Sequence, residues 1–150
     1  MAGILEYLEW RADVPLSADP FNEADNLVLA ELAYTDFSDI VPGDGTEIPL
    51  YEVDARFFAQ HTVEEIRQAK SFTAKAPLLL REMAAGARFR DARLCWYIDE
   101  LDPAQGLQLS AIVFRLSDGS AYVAFRGTDG TIVGWKEDFD LSFLPATEGQ

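Results

Sequence analysis

The chain has 150 residues, 49% of them hydrophobic and 25% charged, which suits one globular domain and excludes a disordered one. A formal net charge of −14 speaks against nucleic acid, whose phosphates need clustered Lys and Arg, and against an anionic membrane surface. It is read as a solvated, self-repelling acidic surface. Cys95 is the single cysteine, so an intramolecular disulfide and a cysteine zinc cluster are excluded. Met1-Ala2-Gly3-Ile4-Leu5-Glu6 lacks the basic start of a signal peptide, and no apolar run approaches the ~20 residues of a membrane span. The expected compartment is the cytoplasm.

In chain order, Ile4, Leu5, Tyr7 and Leu8 form a short amphipathic helical stripe ended by Pro15. Asp19-Pro20-Phe21 predicts a second helix with Asp19 as N-cap and Pro20 at its first position; Leu27, Leu29, Leu32 and Ala33 form its apolar face. Pro42-Gly43-Asp44-Gly45 is a loop. Thr62-Val63-Glu64-Glu65 is a capping box that starts another helix, and a further helix from about Pro77 stops at Gly86. The pattern then turns to strands at Arg93 to Leu101, Leu107 to Leu116 and Tyr122 to Phe125. The solid run Ala111-Ile112-Val113-Phe114 predicts a strand buried on both faces, and Ser117-Asp118-Gly119-Ser120 predicts a hairpin turn. Gly130 to Phe139 reads as a short helix after the last strand. Cys95, inside an apolar run, is expected to be a buried structural thiol.

The chemistry-bearing stretch is Tyr122-Val123-Ala124-Phe125-Arg126-Gly127-Thr128-Asp129, followed by Gly134-Trp135-Lys136-Glu137-Asp138-Phe139. Gly127 permits a sharp turn after a strand, leaving Thr128 and Asp129 at the strand's C-terminal end, where α/β sheets bind ligands. The amide and hydroxyl of Thr128 are two donors suited to a developing oxyanion. Asp138 is spaced to fold back and orient Thr128. The plainer roles are a helix-capping Thr128, an Arg126 paired with a carboxylate, a core Trp135 and a solvated acidic run at Glu137-Asp138-Phe139-Asp140. His61 is read as a surface or capping residue, and no carboxylate spacing suggests a metal or cofactor site.

Phe125-Arg126-Gly127-Thr128 with downstream Trp135 and Asp138 resembles the oxyanion loop of class 3 lipases. With Tyr7-Leu8-Glu9-Trp10-Arg11 and Asp19-Pro20-Phe21-Asn22-Glu23-Ala24-Asp25-Asn26-Leu27, the chain is similar to the Mbeg-like family of bacterial lipase-like hydrolases. The resemblance implies an α/β-hydrolase fold in which Thr128 lines the oxyanion hole and Asp138 supports it. Gly127, Asp129 and Trp135 shape the loop, and the substrate is a small ester or acyl compound. Members continue into a Gly-x-Ser-x-Gly nucleophile elbow, then a late Asp and a late His. Nothing here matches that elbow, and His61, the only histidine, lies upstream. A triad from Ser120 or Ser142 with His61 is left open by spacing alone. The chain is therefore expected to be one domain, the N-terminal portion of a serine hydrolase, inactive alone. The alternative is a non-catalytic binding or self-association module that forms a homo-oligomer through an open sheet edge.

Overall fold

Residues 2–126 are described in the computed structural model of the chain. The first stripe forms helix α1 (Ala2–Arg11), which buries Leu8 and packs Ile4, Leu5 and Tyr7 against the core. The second helix, α2 (Glu23–Leu32), starts later than Asp19-Pro20 suggests. Its N-cap is Asn22, whose Oδ1 accepts from the amides of Ala24 at 2.8 Å and Asp25 at 3.1 Å. Asp25 Oδ2 accepts in return from the Asn22 amide at 2.9 Å. This reciprocal box satisfies amides at both ends of the first turn. The Asp19 side chain is instead paired with Arg11 at 2.8 Å. The buried residues of α2 are Asp25, Val28, Leu29, Glu31 and Leu32, the stripe of Asp25, Val28, Leu29 and Leu32 following helical spacings of three and four. Leu27, expected on that face, points outward at 58% exposure because Asp25 sets the phase of the stripe.

Strand β1 (Ile48–Pro49) runs directly into α3 (Leu50–Gln60), whose N-cap is Pro49 and carries no side-chain cap hydrogen bond. Leu50, Val53 and Phe57 bury its stripe against α5, and Asp54 is buried beside them. Arg81 Nε stands 3.4 Å from Asp54 Oδ1 while its guanidinium covers the Phe58 ring at 4.2 Å, and burial pushes the Asp54 carboxyl up. Thr62 caps α4 (Val63–Arg67) as expected: Thr62 Oγ1 accepts from Glu65 N at 3.1 Å, and Glu65 Oε2 accepts from Thr62 N at 3.3 Å. That helix buries none of its residues and stops after five, since capping without packing sustains little helix. A 3-10 turn (Thr73–Lys75) leads to α5 (Leu78–Ala85), which ends at Gly86.

Among the described residues, β1, β2 (Arg93–Asp102), β3 (Leu107–Arg115) and β4 (Ala121–Phe125) form one antiparallel sheet in that order. The turn at Ser117–Ser120 joins β3 to β4; Gly119 takes φ 87° and Asp118 Oδ1 accepts from Ser120 N at 2.9 Å. Leu94, Ile112, Phe114 and Ala124 join Leu8, Val28, Leu32, Val53 and Leu80 in one core cluster. The expectation that Ala111 to Phe114 is buried on both faces is corrected. Ile112 and Phe114 are buried, whereas Ala111 and Val113 are only half-buried, because the described helices cover one face of the sheet. Tyr122 secures that layer: its hydroxyl donates to the Asn26 side chain and its ring lies 5.9 Å from Phe21. The architecture is mixed α/β. The helix anticipated over residues 130–139 lies outside the described residues.

Candidate functional site

Side chains alternate along a strand, so Tyr122, Ala124 and Arg126 share the helix-facing side. Ala111 pairs with Phe125, and Arg126 N donates to Ser110 O at 2.9 Å, carrying the ladder one residue past β4. Across β3, Ser110 pairs with Asp99. Arg126 and Asp99 therefore stand on the same face on either side of Ser110, and Arg126 Nη2 meets Asp99 Oδ1 at 2.5 Å. Their side chains are 22% and 36% exposed, so the pair contributes roughly 0.2–1 kcal/mol and acts mainly by setting direction. It pins the chain two residues before Thr128.

Asp99 reaches that face only because β2 carries a bulge. Cys95 pairs with Val113 and Ile98 with Ala111, so Trp96 and Tyr97 together oppose Ile112. Trp96 takes φ 53°, and the two bulge amides bond outside the sheet, Trp96 N to Asp44 O at 2.9 Å and Tyr97 N to Pro42 O at 3.1 Å. The extra residue turns Tyr97 inward, edge-on to Phe37 at 5.7 Å, and shifts the phase of Asp99. Tyr97 Oη lies 3.5 Å from both Asp36 Oδ1 and Asp99 Oδ2, linking the end of β4 to the loop after α2. Hydrogen bonds from Ser38 hold the Asp36 carboxyl below the usual range.

Burial, reinforced by the charges of Asp99 and Asp36, pushes the Tyr97 phenol up to about 12. A phenol raised above its unfolded pKa of about 10 gives stability that is complete below that pH and lost as pH rises toward about 12. Tyr97→Phe is therefore expected to flatten the loss of stability over this window. Urea midpoints at about pH 9 and about pH 11 check this, and an equal fall in variant and parent would exclude Tyr97 as the cause.

The proposed oxyanion residue Thr128, its support Asp138, and the loop residues Gly127, Asp129 and Trp135 lie outside the described residues, as does Ser142. Ser120 sits on the exposed β3–β4 turn, where its hydroxyl donates to Asp118 at 2.5 Å. His61 closes the end of α3, stacked on Phe57 at 4.5 Å with Nδ1 3.6 Å from Glu65. No hydrogen bond joins Ser120 to His61 among the described residues. Cys95 is fully buried, and that burial raises its thiol pKa. No group of three or more His, Cys, Asp or Glu among the described residues is placed to hold a metal ion. None of the described helices is long and apolar enough to cross a membrane.

Residues 83–150 match the Mbeg1-like family. The matched part runs from the end of α5 through all of β2, β3 and β4 and includes the Phe125-Arg126-Gly127-Thr128 run. The blocks Tyr7–Arg11 and Asp19–Leu27, read above as part of the same resemblance, lie before it. No curated protein and no solved structure matches the chain. Asp99, Tyr97 and Asp36 were missed by motif reading. The signal for them is acidic residues flanking an apolar run, which is common in so acidic a chain.

Proposed function

We propose that this chain supplies the oxyanion side of a serine hydrolase acting on ester or acyl substrates. One observation supports the reading: the Phe125-Arg126-Gly127-Thr128 run leaves a sheet strand at Arg126, and Asp99 and Ser110 hold that exit point from the side chain and the backbone. An oxyanion donor must be held before the reaction, because its value comes from dipoles that need no reorganisation as charge develops. Thr128, two residues on, supplies an amide and a hydroxyl, and Asp138 orients the hydroxyl. The nucleophile belongs to a Gly-x-Ser-x-Gly elbow that these 150 residues do not contain.

Two experiments test this. The 150-residue chain incubated with a fluorophosphonate probe is expected to show no adduct by intact mass; a stoichiometric adduct on Ser120 or Ser142 would overturn the assignment of the missing nucleophile. In a protein that joins these residues to an in-frame elbow and a later histidine, Thr128→Val is expected to lower kcat about 10²–10³-fold with little change in KM. An unchanged kcat would remove Thr128 from the mechanism.

A second reading is favoured by the exposed edge. Within the described residues β4 pairs only with β3, and Val123 and Phe125 are 51% and 68% exposed. A self-association module would use that edge. Sedimentation velocity distinguishes it, since a concentration-dependent dimer abolished by Val123→Lys supports association through β4.

A further inference from the structure

The described helices cover one face of the sheet, and the register of β2, β3 and β4 fixes what the opposite face carries. Its cross-strand rows run Arg93–Arg115–Ala121, then Cys95–Val113–Val123, then Ile98–Ala111–Phe125, then Glu100–Leu109. Both middle rows are apolar. Cys95 is already buried, so the open part lies on β3 and β4, where Val123 and Phe125 are exposed. Cations close one end of this strip: Arg93 and Arg115, both exposed, share the single carboxylate of Glu47 at 3.5 and 2.8 Å, which leaves one positive charge over. The exposed carboxylate of Glu100 stands at the other end. An apolar strip with a positive and a negative end is complementary to itself when reversed end for end.

We propose that this face docks on the same face of a second copy of the chain, the two sheets stacked roughly 10 Å apart about a two-fold axis that crosses the strands. With the axis between the two apolar rows, Val123 lies over the partner's Phe125, Val113 over the partner's Ala111 and Arg93 over the partner's Glu100. Each contact occurs twice. A two-fold axis along the strands would instead stack the cation rows on each other, so the charges select the crossed arrangement. The net charge of −14 on each copy opposes approach at long range, but at about 0.15 M salt the screening length is about 8 Å and the contacts within the face decide. The proposal rests on the self-association reading and places the contact on the face of β4 in place of its edge.

Sedimentation velocity of the full chain at about 0.15 M salt, from about 5 to about 500 µM, is expected to show a reversible dimer, weak because the patch is small. Glu100→Arg and Arg93→Glu, both at exposed positions, are each expected to weaken it about tenfold. The double variant is expected to return to within about threefold of the parent, because reversing both ends preserves the complement. Pairing through the β4 edge would leave all three unchanged, since β2 lies two strands, roughly 10 Å, from that edge. Val123→Lys weakens either arrangement and does not tell them apart. A dimer indifferent to the charge reversals, or a double variant as weak as the single ones, would overturn docking through the face while leaving self-association standing. A monomer at every concentration would overturn both, and leave the face to residues 127–150 or to a different protein.

Discussion

Arg88→Met is expected to destabilise the protein by about 3–5 kcal/mol, the cost of leaving one member of a buried ion pair alone. Arg88 and Asp25 have fully buried side chains and meet twice, Nε to Oδ1 at 2.8 Å and Nη2 to Oδ2 at 2.5 Å. The remaining guanidinium protons go to carbonyls: Nη1 donates to Val14 O at 3.0 Å and Asp19 O at 2.8 Å, and Nη2 to Pro20 O at 3.2 Å. Asp25 also accepts from Tyr7 Oη at 2.9 Å. The hydrogen bonds that Arg88 donates to Asp25 raise its pKa further. One side chain thus satisfies the connection between α1 and α2, the capping box of α2 and the segment entering β2. A lysine lacks the planar fork for this set, so Arg88→Lys is expected to recover little. Pairing Arg88→Met with Asp25→Leu should recover part of the loss by removing the orphaned carboxylate. Urea midpoints of the single and double variants measure this, and additive losses would show that the two residues act separately.

Gly86→Ala is expected to cost about 3 kcal/mol or more, at the upper end for overpacking, because the obstacle is main chain rather than a side chain that can rotate. A Cβ at Gly86 would lie 2.1 Å from Ala12 O and 2.4 Å from Ala12 C. Two residues on, Arg88 N donates to that same Ala12 O at 2.9 Å, so separating the backbones to admit a methyl also breaks this bond and drags Arg88 from its carbonyls. The conformation itself is no barrier, since φ −111° and ψ 150° are open to any residue. A thermal midpoint lowered by less than about 2 °C would show that the contact yields easily.

What the sequence by itself determined is the chemistry closed within a few residues. The Thr62–Glu65 box and the Asp118-Gly119 turn stand where their residue types place them, because each is satisfied by its neighbours in the chain. The Phe125-Arg126 exit toward Thr128 was legible for the same reason, as a short contiguous motif. Tertiary structure decided the rest. The N-cap moved from Asp19 to Asn22, where the capping box forms beside a guanidinium arriving from position 88. Asp25 took a core position on α2 because that distant guanidinium neutralises it. Gly86, legible as a helix end, is required by the backbone of Ala12. The bulge at Trp96 depends on carbonyls of Pro42 and Asp44, and without it Asp99 would face away from Arg126. Each of these rests on a partner far along the chain, and local pattern carries no information about which distant groups will meet.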